Sequence, residues 1–114
     1  MTMTVPFEIF SRLDFRVGKI ISVEDMPSAR KPLYKFRIDF GPLGVKQCVG
    51  GIKQFYTIDQ LTGKQVVAVV NLEPKPIAGV LSECMMLAAF EEENLSQLAL
   101  VTPDRDMAPG TKVA

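Results

Sequence analysis

Apolar and charged residues alternate along much of the chain, and this is the spacing of a half-buried β-strand. The clearest example is the segment 33–40, in which Phe36, Ile38 and Phe40 share one parity and charged residues occupy the other. We therefore predict a strand with one face in a core and the other in solvent.

A longer strand is predicted over residues 15–24. Its apolar positions are interrupted by Gly18 and Lys19, which predicts a glycine bend that lets one strand serve two sides of a barrel. The apolar residues assigned to its inner face are Phe15, Val17, Ile21 and Val23.

The rest of the pattern predicts short strands, one helical insertion and turns rich in glycine or proline. The helix is expected within residues 52–60, where Thr57 and Gln60 have capping-box spacing. An unbroken β-branched run at 66–70 predicts a strand that is buried on both faces. The remaining predicted elements are strands at 45–49, 65–72, 80–89 and 111–113, with an extended or partly helical segment at 95–101.

Five strands with a short helix between the third and fourth is the order of an OB-fold, so we predict an all-β, five-stranded closed barrel with terminal extensions. An SH3-like barrel or a small sandwich has similar strand spacing. We assign residues 1–12 to an amino-terminal arm and residues 13–114 to the barrel domain.

Composition narrows the possible chemistry. The chain has 114 residues, 13 basic and 13 acidic, with no histidine and two cysteines. The lack of histidine and of a glycine-rich phosphate loop argues against an enzyme, and we expect no cofactor. Cys48 and Cys84 lack metal-ligand spacing, so no metal site is expected; two free buried thiols or one disulfide both fit.

The first twelve residues lack the basic start and apolar stretch of a secretory signal, and the longest apolar run, residues 84–90, is too short to cross a bilayer. We therefore expect a cytoplasmic protein without a membrane span.

The neutral total hides two oppositely charged regions. Residues 12–75 carry eleven basic side chains against six acidic ones, whereas residues 83–106 carry six acidic side chains and one arginine. The segment 28–37 interleaves aromatic and basic residues, a pattern that fits single-stranded or looped RNA. Tyr34 is the candidate for stacking on a base; alternatively it covers the barrel end and the cations are a solvated face. The basic residues of this segment are Arg30, Lys31, Lys35 and Arg37.

Several motifs, which occur in the same order and at the same spacing, resemble those of the tRNA-binding OB-fold domain family. The resemblance is more narrowly to its CsaA type, which comprises stand-alone, export-associated, chaperone-like homodimers. The resemblance covers nearly the whole chain and includes the ending at 102–111. The motifs that carry it are Leu-Asp-Phe-Arg-Val-Gly-Lys-Ile at 13–20, Ala-Arg-Lys-Pro-Leu-Tyr-Lys at 29–35, Val-Gly-Gly-Ile at 49–52, Val-Val-Asn-Leu-Glu-Pro at 69–74 and Ile-Ala-Gly-Val-Leu-Ser-Glu-Cys-Met at 77–85.

This resemblance implies tRNA contacts at Asn71, Ser82 and Met85. Each has an alternative: Asn71 as a turn residue, Ser82 as a strand-end hydrogen-bonding group, and Met85 as a core residue. The chain departs from the family at Gly50, where serine is usual, and at Cys84, where glycine is usual. The full set of expected RNA-binding residues is Arg30, Lys31, Tyr34, Lys35, Asn71, Lys75, Ser82 and Met85.

Two functions are consistent with these features. One is a non-catalytic tRNA-binding protein that recognises RNA by shape and by phosphate contacts on the barrel groove. The other is a chaperone-like homodimer, joined through the arm and the carboxy-terminal segments, that binds extended apolar stretches of preproteins for export. The apolar residues that favour it are Phe7, Ile9, Phe10, Leu81 and Met107.

Overall fold

A computed structural model describes residues 3–114; the first two residues of the arm lie outside the described part. Residues 3–114 contain two short α-helices, one 3₁₀ turn and ten strands. In order they are α1 (Phe7–Ser11), β1 (Phe15–Asp25), β2 (Tyr34–Asp39), the 3₁₀ turn (Gly41–Leu43), β3 (Val45–Gly50), α2 (Ile58–Leu61), β4 (Gln65–Val69), β5 (Lys75–Ile77), β6 (Val80–Ser82), β7 (Met85–Met86), β8 (Ala88–Phe90), β9 (Leu98–Leu100) and β10 (Lys112–Val113).

The main sheet is a nearly closed OB-like barrel, as the strand order of the sequence predicts. Its strands follow the order β3-β2-β1-β4-β7, with β10 pairing to the start of β1, and the neighbours are antiparallel. The open edge of β3 meets the end of β6, where the backbone N–H of Glu83 donates to the carbonyl of Gln47 at 2.8 Å and the N–H of Val49 donates to Oγ of Ser82 at 3.2 Å. We call this junction the seam.

The core confirms the predicted alternation of β2, because Phe36, Ile38 and Phe40 are fully buried. Strand β4 is buried on both faces, also as predicted. Its inner face packs in the barrel core, and the carboxy-terminal segment runs along its edge, where the N–H of Val67 donates to the carbonyl of Val101 at 2.9 Å.

The predicted facing of β1 is only partly correct. Val17 and Val23 are buried as expected, but Ile21 is exposed and Ile20 is completely buried. The reason is a shift in the β1–β2 register between Ile20 and Ser22, which marks a bulge and reverses the parity of the strand.

The barrel core leaves no room for a side chain at Gly18 on β1. A Cβ at this position would lie 2.5 Å from side-chain atoms of both Ile38 and Phe40. The barrel core therefore packs directly against the backbone of β1 at Gly18, and any larger residue would have to displace it.

The helical insertion is shorter than predicted. Its capping box is present, since Oγ1 of Thr57 accepts from the N–H of Gln60 and the Gln60 side chain accepts from the N–H of Thr57. The helix proper covers only Ile58–Leu61, because residues 52–56 form a turn closed by N–H donation from Tyr56 to the carbonyl of Ile52.

The strand predicted over 80–89 is three separate strands. The chain pairs first with β5, then with β4 and finally with β9, so it changes direction each time it changes partner. The β5–β6 hairpin closes at Ala78 and Gly79, which both have positive φ and so match the turn type that two-residue hairpins favour. In residues 3–114, no helix has the length and apolar character needed to cross a membrane.

Candidate nucleic-acid interface

Two cavities adjoin at the β5–β6 hairpin. The first, of about 480 Å³, lies over the seam, and the second, of about 470 Å³, lies between the hairpin and the loop that joins β1 to β2. Ile77 lines both. We call the surface formed by this loop, residues 26–33, and by the hairpin the loop–hairpin groove.

Arg30 and Lys31 lie on the loop side of this groove. Two backbone hydrogen bonds shape the loop: the N–H of Met26 donates to the carbonyl of Leu33, and the N–H of Ala29 donates to the carbonyl of Met26. Both basic side chains are exposed, and neither forms an ion pair among residues 3–114. Their charges are thus available to an anionic ligand.

Lys75 lies on the hairpin side. It stands opposite Ser82 in the β5–β6 register and lines the first cavity. It too is exposed and has no ion-pair partner in the described chain. Glu73 and Glu83 line the same cavity, so the positive potential there is weaker than at the loop.

Tyr34 does not belong to this surface, and its proposed stacking role needs correction. The side chain is only 4% exposed, and its hydroxyl donates to the carbonyl of Tyr56 at 2.9 Å. The ring packs edge-on against Phe36, and Lys53 Nζ lies 5.7 Å from its centre. The structure therefore has the alternative arrangement, in which Tyr34 belongs to the barrel core.

Lys35 also differs from the loop cations. It is partly buried, and its ammonium group lies 3.5 Å from the carboxylate of Glu24 on the neighbouring strand. Because the Glu24 carboxylate offsets its charge, Lys35 attracts a phosphate less strongly than Arg30 or Lys31 does.

Asn71 ties the amino-terminal segment to the barrel. Its Oδ1 accepts from the N–H of Asp14 at 2.8 Å, and its Nδ2 donates to the carbonyl of Arg12 at 2.6 Å. It does not cap its own turn; instead it holds a segment 57 to 59 positions away. Both polar atoms of the amide already have protein partners.

The side chain of Asp14, in the segment that Asn71 holds, is a charged carboxylate at neutral pH. Asp14 accepts from Arg16 at 2.7 Å, and Lys112 Nζ lies 3.4 Å away, so the two cations hold the pKa of Asp14 below its usual value, with Arg16 the main cause. The triad links the start of β1 to β10.

Ser82 and Met85 both line the first cavity, but their surroundings differ. Oγ of Ser82 accepts from Val49 at the seam, as the strand-end alternative predicts. Met85 is 50% exposed, and it is Met86 that packs against the core. Of the eight expected residues, the structure therefore places five around the two cavities: Arg30, Lys31, Lys75, Ser82 and Met85.

Most of the apolar residues that line the first cavity were not predicted from the sequence. Ile77 links the two cavities, and Leu98 and Leu100 reach the first one from β9. The Ala78-Gly79 pair was the available signal for the hairpin. No sequence signal predicted the position of β9, because that position depends on how the carboxy-terminal segment folds back onto the barrel.

No group of three or more histidine, cysteine, aspartate or glutamate side chains within residues 3–114 is arranged to hold a metal ion. Both cysteines are free and buried.

Comparison with known proteins agrees with this architecture. A family model described as "Putative tRNA binding domain" matches residues 15–112. Methionine–tRNA ligase from Pyrococcus horikoshii is 47% identical over 109 residues, which are 96% of this chain and 14% of that protein. The chain thus spans about one seventh of the curated relatives that it matches.

Two solved structures match along their whole length. The chaperone CsaA of Bacillus anthracis has a TM-score of 0.87 and 36% identity, covering 98% of this chain and 100% of that one. The CsaA chaperone protein of Picrophilus torridus has a TM-score of 0.87 and 39% identity, with 97% and 100% covered. The chain belongs to the putative tRNA-binding domain family and has the OB-like fold of the CsaA chaperones.

Proposed function

We propose that this protein is a non-catalytic tRNA-binding protein whose RNA site is the loop–hairpin groove. The observation that carries the proposal is a set of three cations, Arg30, Lys31 and Lys75, around two adjoining cavities in a member of this family, none of which has an ion-pair partner within residues 3–114. A tRNA partner would place the protein in the cytoplasm.

Recognition would rest on RNA shape and phosphate contacts. Exposed lysine and arginine side chains neutralise phosphates and release counterions. With Tyr34 in the core, neither cavity is lined by an aromatic ring, so base stacking contributes little here. Met85 and Ile77 offer apolar contact instead, which discriminates poorly between bases.

The affinity would be modest and sensitive to salt. The chain has no net charge, and two carboxylates line the cavity that Lys75 faces. Long-range attraction of RNA is therefore weak, and binding depends on a few local contacts that salt screens.

The second candidate is a homodimer that holds extended apolar polypeptide. Two observations favour it: α1 exposes apolar side chains, with Phe7 78% exposed, and Leu72, Ile77 and Met85 line the first cavity. In this proposal the arm, residues 1–12, joins two copies, together with the carboxy-terminal segments beyond residue 89, and the barrel of residues 13–114 binds the ligand. Burial of α1 between two copies would also explain its exposed residues without any polypeptide ligand.

A competition experiment separates the two candidates. Purified protein is mixed with labelled tRNA or with a labelled extended apolar peptide, at about 50 mM and about 200 mM salt, and each ligand competes with the other. The tRNA proposal expects tRNA affinity to fall at least tenfold at the higher salt while peptide binding stays nearly constant. Peptide binding with no measurable tRNA binding at the lower salt would reject the tRNA role.

A further inference from the structure

Cys48 and Cys84 are 36 positions apart in the chain but lie together in the barrel. Each follows a residue that the seam holds in place: the N–H of Glu83 donates to the carbonyl of Gln47 at 2.8 Å, and the N–H of Gln47 donates to the Glu83 carboxylate at 2.9 Å. Both cysteines belong to the buried core, and both line the first cavity. One cysteine therefore reaches the wall of the first cavity from each side of the seam.

The two thiols influence each other, since both belong to one cluster of buried core residues and both line the same cavity. The neighbouring Cys84 thiol, together with burial, raises the pKa of Cys48. The neighbouring Cys48 thiol lowers the pKa of Cys84, with help from the charge of Lys46, although burial opposes the change. Cys84 is also the more accessible of the pair, at 6% exposed against 1%. Of the two thiols, Cys84 therefore ionises more readily.

We propose that Cys48 and Cys84 form an oxidisable dithiol site, which a small-molecule disulfide converts into an intramolecular disulfide bond across the seam. The geometry of disulfides supports this, because bonded cysteines have Cα atoms about 4.4–6.8 Å apart and side chains that face each other. Cys48 and Cys84 each follow one partner of the backbone hydrogen bond between Gln47 and Glu83, and both side chains are buried in the same core, which favours their approach. No other cysteine competes, since the chain has only these two.

The reaction takes two steps. The Cys84 thiolate attacks one sulfur of the added disulfide, whose S–S bond breaks and releases one thiolate. The Cys48 thiol then loses its proton and attacks the Cys84 sulfur, which releases the second thiolate. Overall the protein loses two electrons and two protons, and the added disulfide becomes two thiols. The cavity of about 480 Å³ gives a small oxidant a path to Cys84.

Oxidation would fix the wall of the cavity. β3 contributes Val49 and Gly50 to the lining and β6 contributes Ser82, yet the strands meet mainly through the hydrogen bonds of the seam. A covalent bond at Cys48 and Cys84 would hold the two strands together and close a loop of 36 residues in the unfolded chain. The bond is thus expected to stabilise the barrel, whether or not RNA binds the groove.

The test uses the full chain treated with hydroxyethyl disulfide, then unfolded and alkylated with iodoacetamide for intact-mass measurement. We expect two alkylated thiols in untreated protein and none in treated protein, whose mass falls by two hydrogen atoms with no retained adduct. The melting temperature should rise by roughly 10 °C and return to its starting value with reductant.

The control variants are Cys84→Ala and Cys48→Ala, each of which should show no stabilisation on treatment. If one of them fails to fold, the other serves. Two alkylated thiols after treatment, stable mixed disulfides at both cysteines, or disulfide-linked dimers would each overturn the proposal.

Discussion

The loop–hairpin groove and the terminal segments carry different chemistry. The groove presents Arg30, Lys31 and Lys75 without ion-pair partners in the described chain. The terminal segments, α1 and residues 88–107, instead expose apolar side chains such as Phe7 and Phe90 and carry most of the acidic excess. A neutral composition therefore conceals a region of unpaired positive charge and a region of exposed apolar side chains, and salt should affect ligand binding at the two differently.

The largest expected effect is on the groove. Arg30→Glu combined with Lys31→Glu removes two phosphate contacts and adds repulsion, so tRNA affinity at low salt should fall by about 10- to 100-fold. Filter binding measures the affinity, and circular dichroism checks that the fold is intact.

The matched control is Lys19→Glu combined with Arg105→Glu, which changes net charge by the same amount on exposed residues that line neither cavity. Its tRNA affinity should change by less than about threefold. Equal losses in the two double variants would mean that overall charge, rather than the groove, governs binding.

The next effect concerns α1. The Phe7 ring lies tilted against Phe10, which stacks on Phe15, so the helix presents a small aromatic surface to solvent. If two copies bury this surface, Phe7→Ser with Phe10→Ser should weaken self-association about 10-fold or more. Sedimentation velocity over a concentration range measures this. A wild-type chain of 12.6 kDa at every concentration would contradict the dimer proposal.

A smaller effect is expected at Tyr34. Tyr34→Phe removes the hydroxyl that donates to Tyr56 and should lower the free energy of unfolding by about 1–2 kcal/mol. Affinity for tRNA should stay unchanged, because the ring is buried. Urea unfolding measures the stability and filter binding the affinity. A clear loss of tRNA affinity without loss of stability would mean that Tyr34 contacts the RNA after all.

The smallest effect depends on pH. Arg16 and Lys112 lower the pKa of Asp14 in the folded protein, so its contribution to stability is present above the unfolded pKa, near 3.8, and is lost as pH falls through the folded value. Asp14→Asn should lower the melting temperature by about 2–5 °C at pH 7, and the difference from wild type should shrink as the pH is lowered below about 3.8. A difference that stays constant as the pH is lowered would mean that the ion pairs are not its source.

The sequence predicted the barrel well where burial follows simple alternation. β2 and β4 match their patterns, and the capping box at Thr57 is present. The facing of β1 could not be predicted fully, because the bulge between Ile20 and Ser22 depends on pairing with a strand elsewhere in the chain.

The site was less predictable. Tyr34 shares the parity of Phe36 and Ile38, so the alternation that predicted β2 also indicated that Tyr34 is buried. Asn71 lies where the family resemblance places a tRNA contact, but its amide bonds with backbone more than fifty positions away, which no local pattern reports. The meeting of Cys48 and Cys84 likewise depends on closure of the barrel.

The most direct test of the central claim is the salt dependence of tRNA binding, measured for the wild type and for the Arg30→Glu, Lys31→Glu variant. A plot of log affinity against log salt should be linear, and its slope should be shallower in the variant by about 1.5 to 2, because two phosphate contacts are gone. Equal slopes in the two proteins would contradict the assignment of the loop–hairpin groove as the tRNA site.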